Sequence, residues 1–220
     1  TVWGVSAPLP VSSQFQVNTY TTNSQSFPAV SMDADGDFAV VWESWGSSSG
    51  DTWYDSVHAR RYGADGTPQA SSFQVNTYTP SYQNGVAISL DADGDFVVVW
   101  QSGGSSSGDT LSYSIQGQRY AAGGAALGGQ FQVNTYTTNA QFTASVSLSA
   151  DGDFVVVWDS GGSSGGDTSS YSIQGQRFRV TGDPPFMKSP PDACPMASLS
   201  ENLRWIRISR SISSLLSDEF

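Results

Sequence analysis

A 58-residue unit occurs three times, in register and without a gap, between residues 15 and 182. FQVNTY stands at 15–20, 73–78 and 131–136. DADGDFAVVW, DADGDFVVVW and SADGDFVVVW stand at 33–42, 91–100 and 149–158. HARRY, QGQRY and QGQRF follow at 58–62, 116–120 and 174–178. Such a period means one supersecondary unit in tandem, each copy burying its apolar surface against its neighbours.

Each unit reads as four strands. Strand a covers about 29–33 and alternates apolar with small polar residues. Asp35-Gly36 then gives a tight hairpin signal. Strand b covers 37–44, a Gly/Ser-rich loop covers 45–55, and strand c covers 56–62. A second turn at Asp65-Gly66, Gly123-Gly124 in the second copy, leads to strand d, FQVNTY. No part of the repeat has sustained helical periodicity. In strand b of the second copy, Phe96, Val98 and Trp100 point one way and Val97 and Val99 the other. Both faces are apolar, which predicts sheets stacked on sheets. Tandem four-stranded units stacked this way make a β-propeller. The rival, a β-solenoid, has shorter rungs of roughly 20–30 residues. The expected fold is therefore all-β: three antiparallel blades forming a partial, open propeller.

The two ends do not match. Residues 1–14 lead in, and the first strand d at 15–20 precedes any blade. After Gly182 the repeat stops: a fourth FQVNTY would begin at Ser189, where SPPDAC stands instead. Three blades fall short of the roughly 4–8 of closed propellers. An open arc, a fragment of a longer propeller, or two chains exchanging strand d and self-associating through their open blade edges all fit. The non-repeat tail 183–220 is proline-rich at first and then compatible with a short helix bearing Arg204, Arg207 and Arg210. It reads as an irregular tail, a docked helix, a membrane-surface or partner helix, or the product of a shifted reading frame.

The formal net charge of −11 argues against a nucleic-acid backbone as partner. No apolar run reaches the roughly 20 residues of a membrane span. One cysteine, Cys194, excludes an intrachain disulfide.

Alternate aspartates at the a–b turn (Asp33, Asp35 and Asp37; Asp91, Asp93 and Asp95; Asp151 and Asp153) are candidate calcium ligands, since Ca²⁺ takes oxygen donors. The EF-hand spacing fails, and solvated acids flanking an Asp-Gly turn are the plainer reading. Arg61, Arg119 and Arg177 end each strand c and are expected to pair with a carboxylate such as Asp37, Asp95 or Asp153. Trp42, Trp100 and Trp158 are expected to pack between blades. His58, replaced by Gln116 and Gln174 in the other copies, reads as a plain surface or strand residue. Loops b–c and d–a emerge at one end of the blades, and binding residues concentrate on loops. Trp45, Trp53, Asp51, Asp109 and Asp167 lie there and are candidate ligand-binding residues. Glu43 and Asp55 are among the few acids that break the repeat, and the spacing alone joins them to no site.

FQVNTYT, DGDFVVVWQS and YSIQGQRY in this order, across about 15–182, resemble the tandem propeller-type repeats of very large secreted or surface proteins of bacteria. Those repeats often accompany cadherin-like or haemolysin-type calcium-binding repeats. The resemblance implies a bacterial, secreted or cell-surface, non-enzymatic module for adhesion, binding or architecture. A glycan or protein ligand is expected as its partner. A lectin-like carbohydrate-binding propeller using the b–c/d–a loop face is the alternative, and a fragment of a propeller glycosidase the lesser one.

Overall fold

The computed structural model describes residues 7–46, 51, 54–105, 109, 112–163, 165–167 and 170–180. Trp53 and the tail beyond Val180, with Cys194 and its arginines, lie outside the described residues. The first blade comprises β1 (Gln25–Met32), β2 (Phe38–Trp45), β3 (Asp55–Tyr62) and β4 (Phe73–Gln74). The second comprises β5 (Gln83–Leu90), β6 (Phe96–Gly103), β7 (Tyr113–Tyr120) and β8 (Phe131–Gln132). The third comprises β9 (Gln141–Leu148), β10 (Phe154–Gly161) and β11 (Tyr171–Phe178). Strands pair in chain order within each sheet, all antiparallel, and the third sheet has three strands, ending at β11. The described blades form an open arc, as the strand patterning predicts.

Strand a starts earlier than its alternation suggests. In each blade a β-bulge interrupts the pairing with strand b, and the bulged residue takes positive φ: Phe27 (50°), Gly85 (63°) and Thr143 (54°). The bulge breaks the period of two on which the pattern depends. Strand d is shorter than FQVNTY. Two residues enter the ladder, and Val75 N–H then donates to Val57 O at 2.7 Å, as Val133 does to Ile115 at 2.8 Å. The first FQVNTY forms no strand, having no strand c beside it. It lies against the first blade, where Val17 O accepts from Arg60 Nη1 at 2.9 Å and from Tyr62 Oη at 3.3 Å.

Packing runs between blades. Ala39, Val41, Val57, Ala59 and Val75 of the first meet Ile88, Phe96, Val98 and Trp100 of the second. Val97, Val99, Ile115 and Val133 of the second meet Phe154, Val156 and Trp158 of the third. Each fully buried Val or Ile here contributes roughly 1.5–3 kcal/mol. The conserved spacing of strand b to strand a recurs as a hydrogen bond. Trp42, Trp100 and Trp158 donate Nε1–H to Gln25, Gln83 and Gln141 Oε1 at 3.0, 2.9 and 2.8 Å.

Candidate functional site

Backbone bonds bring loops b–c and d–a together at one end of the arc. Trp45 N–H donates to Ser24 O, and Gly103 N–H to Tyr82 O. At this end Trp45, at the tip of β2, and Tyr54, just before β3, stand 42% and 40% exposed. Both approach Tyr82, from the d–a loop that opens the second blade. Tyr54 meets it edge-on at 5.1 Å between ring centres, and Trp45 tilts toward it at 6.3 Å. A second aromatic group crosses the next blade junction: Tyr113, Phe142 and Tyr171, with centres 5.4 and 6.3 Å apart. The first group breaks the repeat, whereas in the second Tyr113 and Tyr171 are equivalent positions and only Phe142 departs from it. Gly103 and Gly161 stand where Trp45 does, and Ser24 and Ala140 where Tyr82 does.

Beneath the first aromatic group lie Glu43 and Asp55. Trp45 pairs with Asp55 across β2 and β3, and Glu43 pairs with Val57, so the two acids are diagonal neighbours. Glu43 is buried, and its Oε1 accepts from Gly85 N–H of the second blade at 2.7 Å. Burial pushes its carboxyl up to about 7, against the lowering effect of the Gly85 bond, with the nearby Asp55 adding to the rise. Burial also raises Asp55. The structure thus joins two acids that the spacing left apart. Tyr54 and Tyr82 were not singled out in the sequence, although Tyr82 replaces small residues at a position that otherwise repeats.

The other candidates at this end divide. Asp51 and Asp109 are buried within their loops, whereas Asp167 is exposed on the third blade.

The opposite end carries the DGD turns. Asp33 Oδ1 accepts from the amides of Asp35 and Asp37, both at 3.0 Å, and Asp91 Oδ1 repeats this with Asp93 and Asp95. In the third copy Ser149 Oγ donates to Asp153 O at 3.1 Å. The last aspartate of each turn holds the c–d segment: Asp37, Asp95 and Asp153 Oδ1 accept from Ala64, Ala122 and Val180 N–H at 2.8, 2.8 and 3.0 Å. Side chains engaged in this way are turn caps. Among the described residues no group of three or more His, Cys, Asp or Glu is gathered to hold a metal.

The recurrent arginines differ from expectation. Arg61 donates to Gln69 Oε1, and Gln69 Nε2 in turn donates to Asp37 Oδ2 at 2.8 Å, so an amide stands between guanidinium and carboxylate. The ion pair found among the described residues joins Asp153 to Arg179, at 3.7 Å, and leaves Arg177 aside. An exposed guanidinium gains little from a carboxylate in water, so a neutral amide competes well. His58 is buried rather than on the surface. Its Nε2 lies 3.1 Å from Ser56 Oγ, the place where Gln116 and Gln174 bond Ser114 and Ser172.

No protein-family model and no curated protein matches the chain. Among solved structures it is similar to an endo-arabinase from Bacteroides thetaiotaomicron, with 12% identity and a TM-score of 0.47. The match covers 75% of this chain and 60% of that one, so this chain spans less than two thirds of its neighbour. This corrects the expectation that the chain is not an enzyme, since the neighbour found is itself an enzyme. At such identity and score the likeness assigns no activity here.

Proposed function

We propose that the b–c/d–a end of the arc recognises carbohydrate, and that the chain serves outside the cell as a carbohydrate-binding repeat module. The observation that carries this reading is the exposed group Trp45, Tyr54 and Tyr82, which departs from the repeat at the end where the loops gather. Aromatic rings in water offer flat apolar faces with polar edges, suited to the C–H faces of sugar rings. The group Tyr113, Phe142 and Tyr171 supplies a second contact one blade along. A polymer touching both gains through effective concentration rather than through any one strong site. Titration calorimetry against a panel of soluble polysaccharides, arabinan among them, tests the proposal. Binding is expected, weakened roughly five- to thirtyfold in Trp45→Ala, for a lost ring contact of roughly 1–2 kcal/mol. A broad panel without binding overturns it.

Glycoside hydrolysis is the second reading, favoured by Glu43 and Asp55 alone. A carboxyl kept protonated near neutrality beside a second acid is the pairing that glycoside cleavage uses. It predicts release of reducing ends from a bound polysaccharide, abolished in Glu43→Gln and in Asp55→Asn. Binding without release rejects this second reading and leaves the first.

A further inference from the structure

We propose that two copies of this chain join head to tail into a closed six-blade ring, each lending residues 15–20 to complete the third blade of the other. The two internal blade junctions are the template. In the second blade Val97, Val99 and Ile115 are buried against the third. Their equivalents in the third blade, Val155, Val157 and Ile173, face solvent, Ile173 at 72% exposure against 0% for Ile115. On the facing side Ile88 is buried in the second blade, while its equivalent Val30 in the first stands 63% exposed, with Met32 beside it. Each open face is thus one half of a junction that the chain already makes twice.

The polar groups match as well. Gly85 N–H of the second blade is taken by Glu43 of the first, and Thr143 N–H of the third by Gln101 of the second. At the open ends the same positions are Phe27 N–H and the Asp159 carboxylate. Leu90 and Leu148 N–H donate to Ser31 and Ser89 Oγ, which leaves Met32 N–H and Ser147 Oγ as the next such pair.

The strand is the third match. Val57 and Ile115 N–H donate to Asn76 and Asn134 Oδ1, both at 2.8 Å. The repeat places Asn18 and Ile173 in those roles, yet in one chain they stand on opposite ends of the arc. Asn18 already has the local bond of its counterparts, Nδ2 to Tyr20 O at 2.8 Å, as Asn76 and Asn134 have to Tyr78 and Tyr136. Beside residues 15–18 an apolar-lined groove of about 270 Å³ runs along Val40 and Trp42 of the first blade. It lies where the preceding blade would pack. Supplying β11 with a strand from a second copy is β-augmentation, and a heterologous contact that closes after two copies gives a ring. Six blades lie within the range of closed propellers.

Sedimentation equilibrium of the full chain at high micromolar concentration tests this, in moderate salt to screen the charge of −11. The expected mass is twice 23.3 kDa. Val30→Asp spoils the first-blade face and Ile173→Asp the third-blade face, and each is expected to weaken association on the order of a hundredfold. Both residues are exposed in the single chain, so the β-sheet circular dichroism of the variants is expected to stay unchanged. An equal mixture of the two variants has one unspoiled junction and is expected to recover dimer. Asn18→Ala, which leaves the blade cores untouched, is expected to weaken association about tenfold. A wild-type chain that stays monomeric, a ladder of larger species, or a Val30→Asp variant that remains dimeric through a symmetric contact would each overturn the proposal.

Discussion

At the residue scale, the first blade carries two titratable substitutions with opposite effects on stability. Burial lowers His58 from 6.5 to about 4. As pH falls through that window the unfolded chain takes up the proton first, so folding stability drops on the acid side by ~3 kcal/mol. Burial raises Glu43 from 4.5 to about 7. As pH rises through that window the unfolded chain releases the proton first, so stability drops on the alkaline side by about 1–3 kcal/mol. The slopes oppose each other where the windows overlap. Urea unfolding as a function of pH is therefore expected to find His58→Gln stabilised relative to wild type below pH ~5, and Glu43→Gln stabilised above pH ~7. Both variants install the residue that the second blade already uses, Gln116 and Gln101. Parallel pH profiles for wild type and variants would contradict these assignments. The sequence made both positions visible as breaks in the repeat, but not their burial. That comes from the adjoining blade or strand, which no local pattern encodes.

At the element scale, identical words have different surroundings. DFVVVW reads as a strand apolar on both faces, and β6 is buried on both. In β10 the same residues alternate between buried and exposed, because no further blade packs on it among the described residues. Val99→Ala is expected to cost about 2 kcal/mol in denaturant midpoint and slope analysis. The equivalent Val157→Ala, measured in dilution where the chain is single, is expected to cost less than ~0.5 kcal/mol. Equal costs would mean that the third blade is covered. The aspartates illustrate the limit of reading elements from sequence. Alternate acids at a turn suit a cation and suit backbone amides equally, and only geometry shows Asp33 and Asp37 turned onto amides. Asp37→Ala or Asp95→Ala is expected to loosen the c–d segment at a cost of about 1 kcal/mol, read by thermal melting. Tyr54 and Tyr82 were hidden for a related reason: their contact joins two loops of different blades, 28 residues apart in the chain.

For the molecule as a whole, the period carried most of the fold. Blade number, strand order, the sheet that ends at β11 and the unpaired first FQVNTY all follow from where the 58-residue unit begins and stops. The functional end followed less directly, since loops escape the periodicity that makes strands legible. Both open faces remain half-junctions, and the account's central claim is that strand 15–20 of one copy finishes the third blade of another. Amide hydrogen exchange at Ile173 tests it most directly. At high protein concentration that amide is expected to exchange as slowly as those of Val57 and Ile115, and to lose its protection on dilution. Fast exchange at every concentration, or protection that dilution does not remove, would contradict the account.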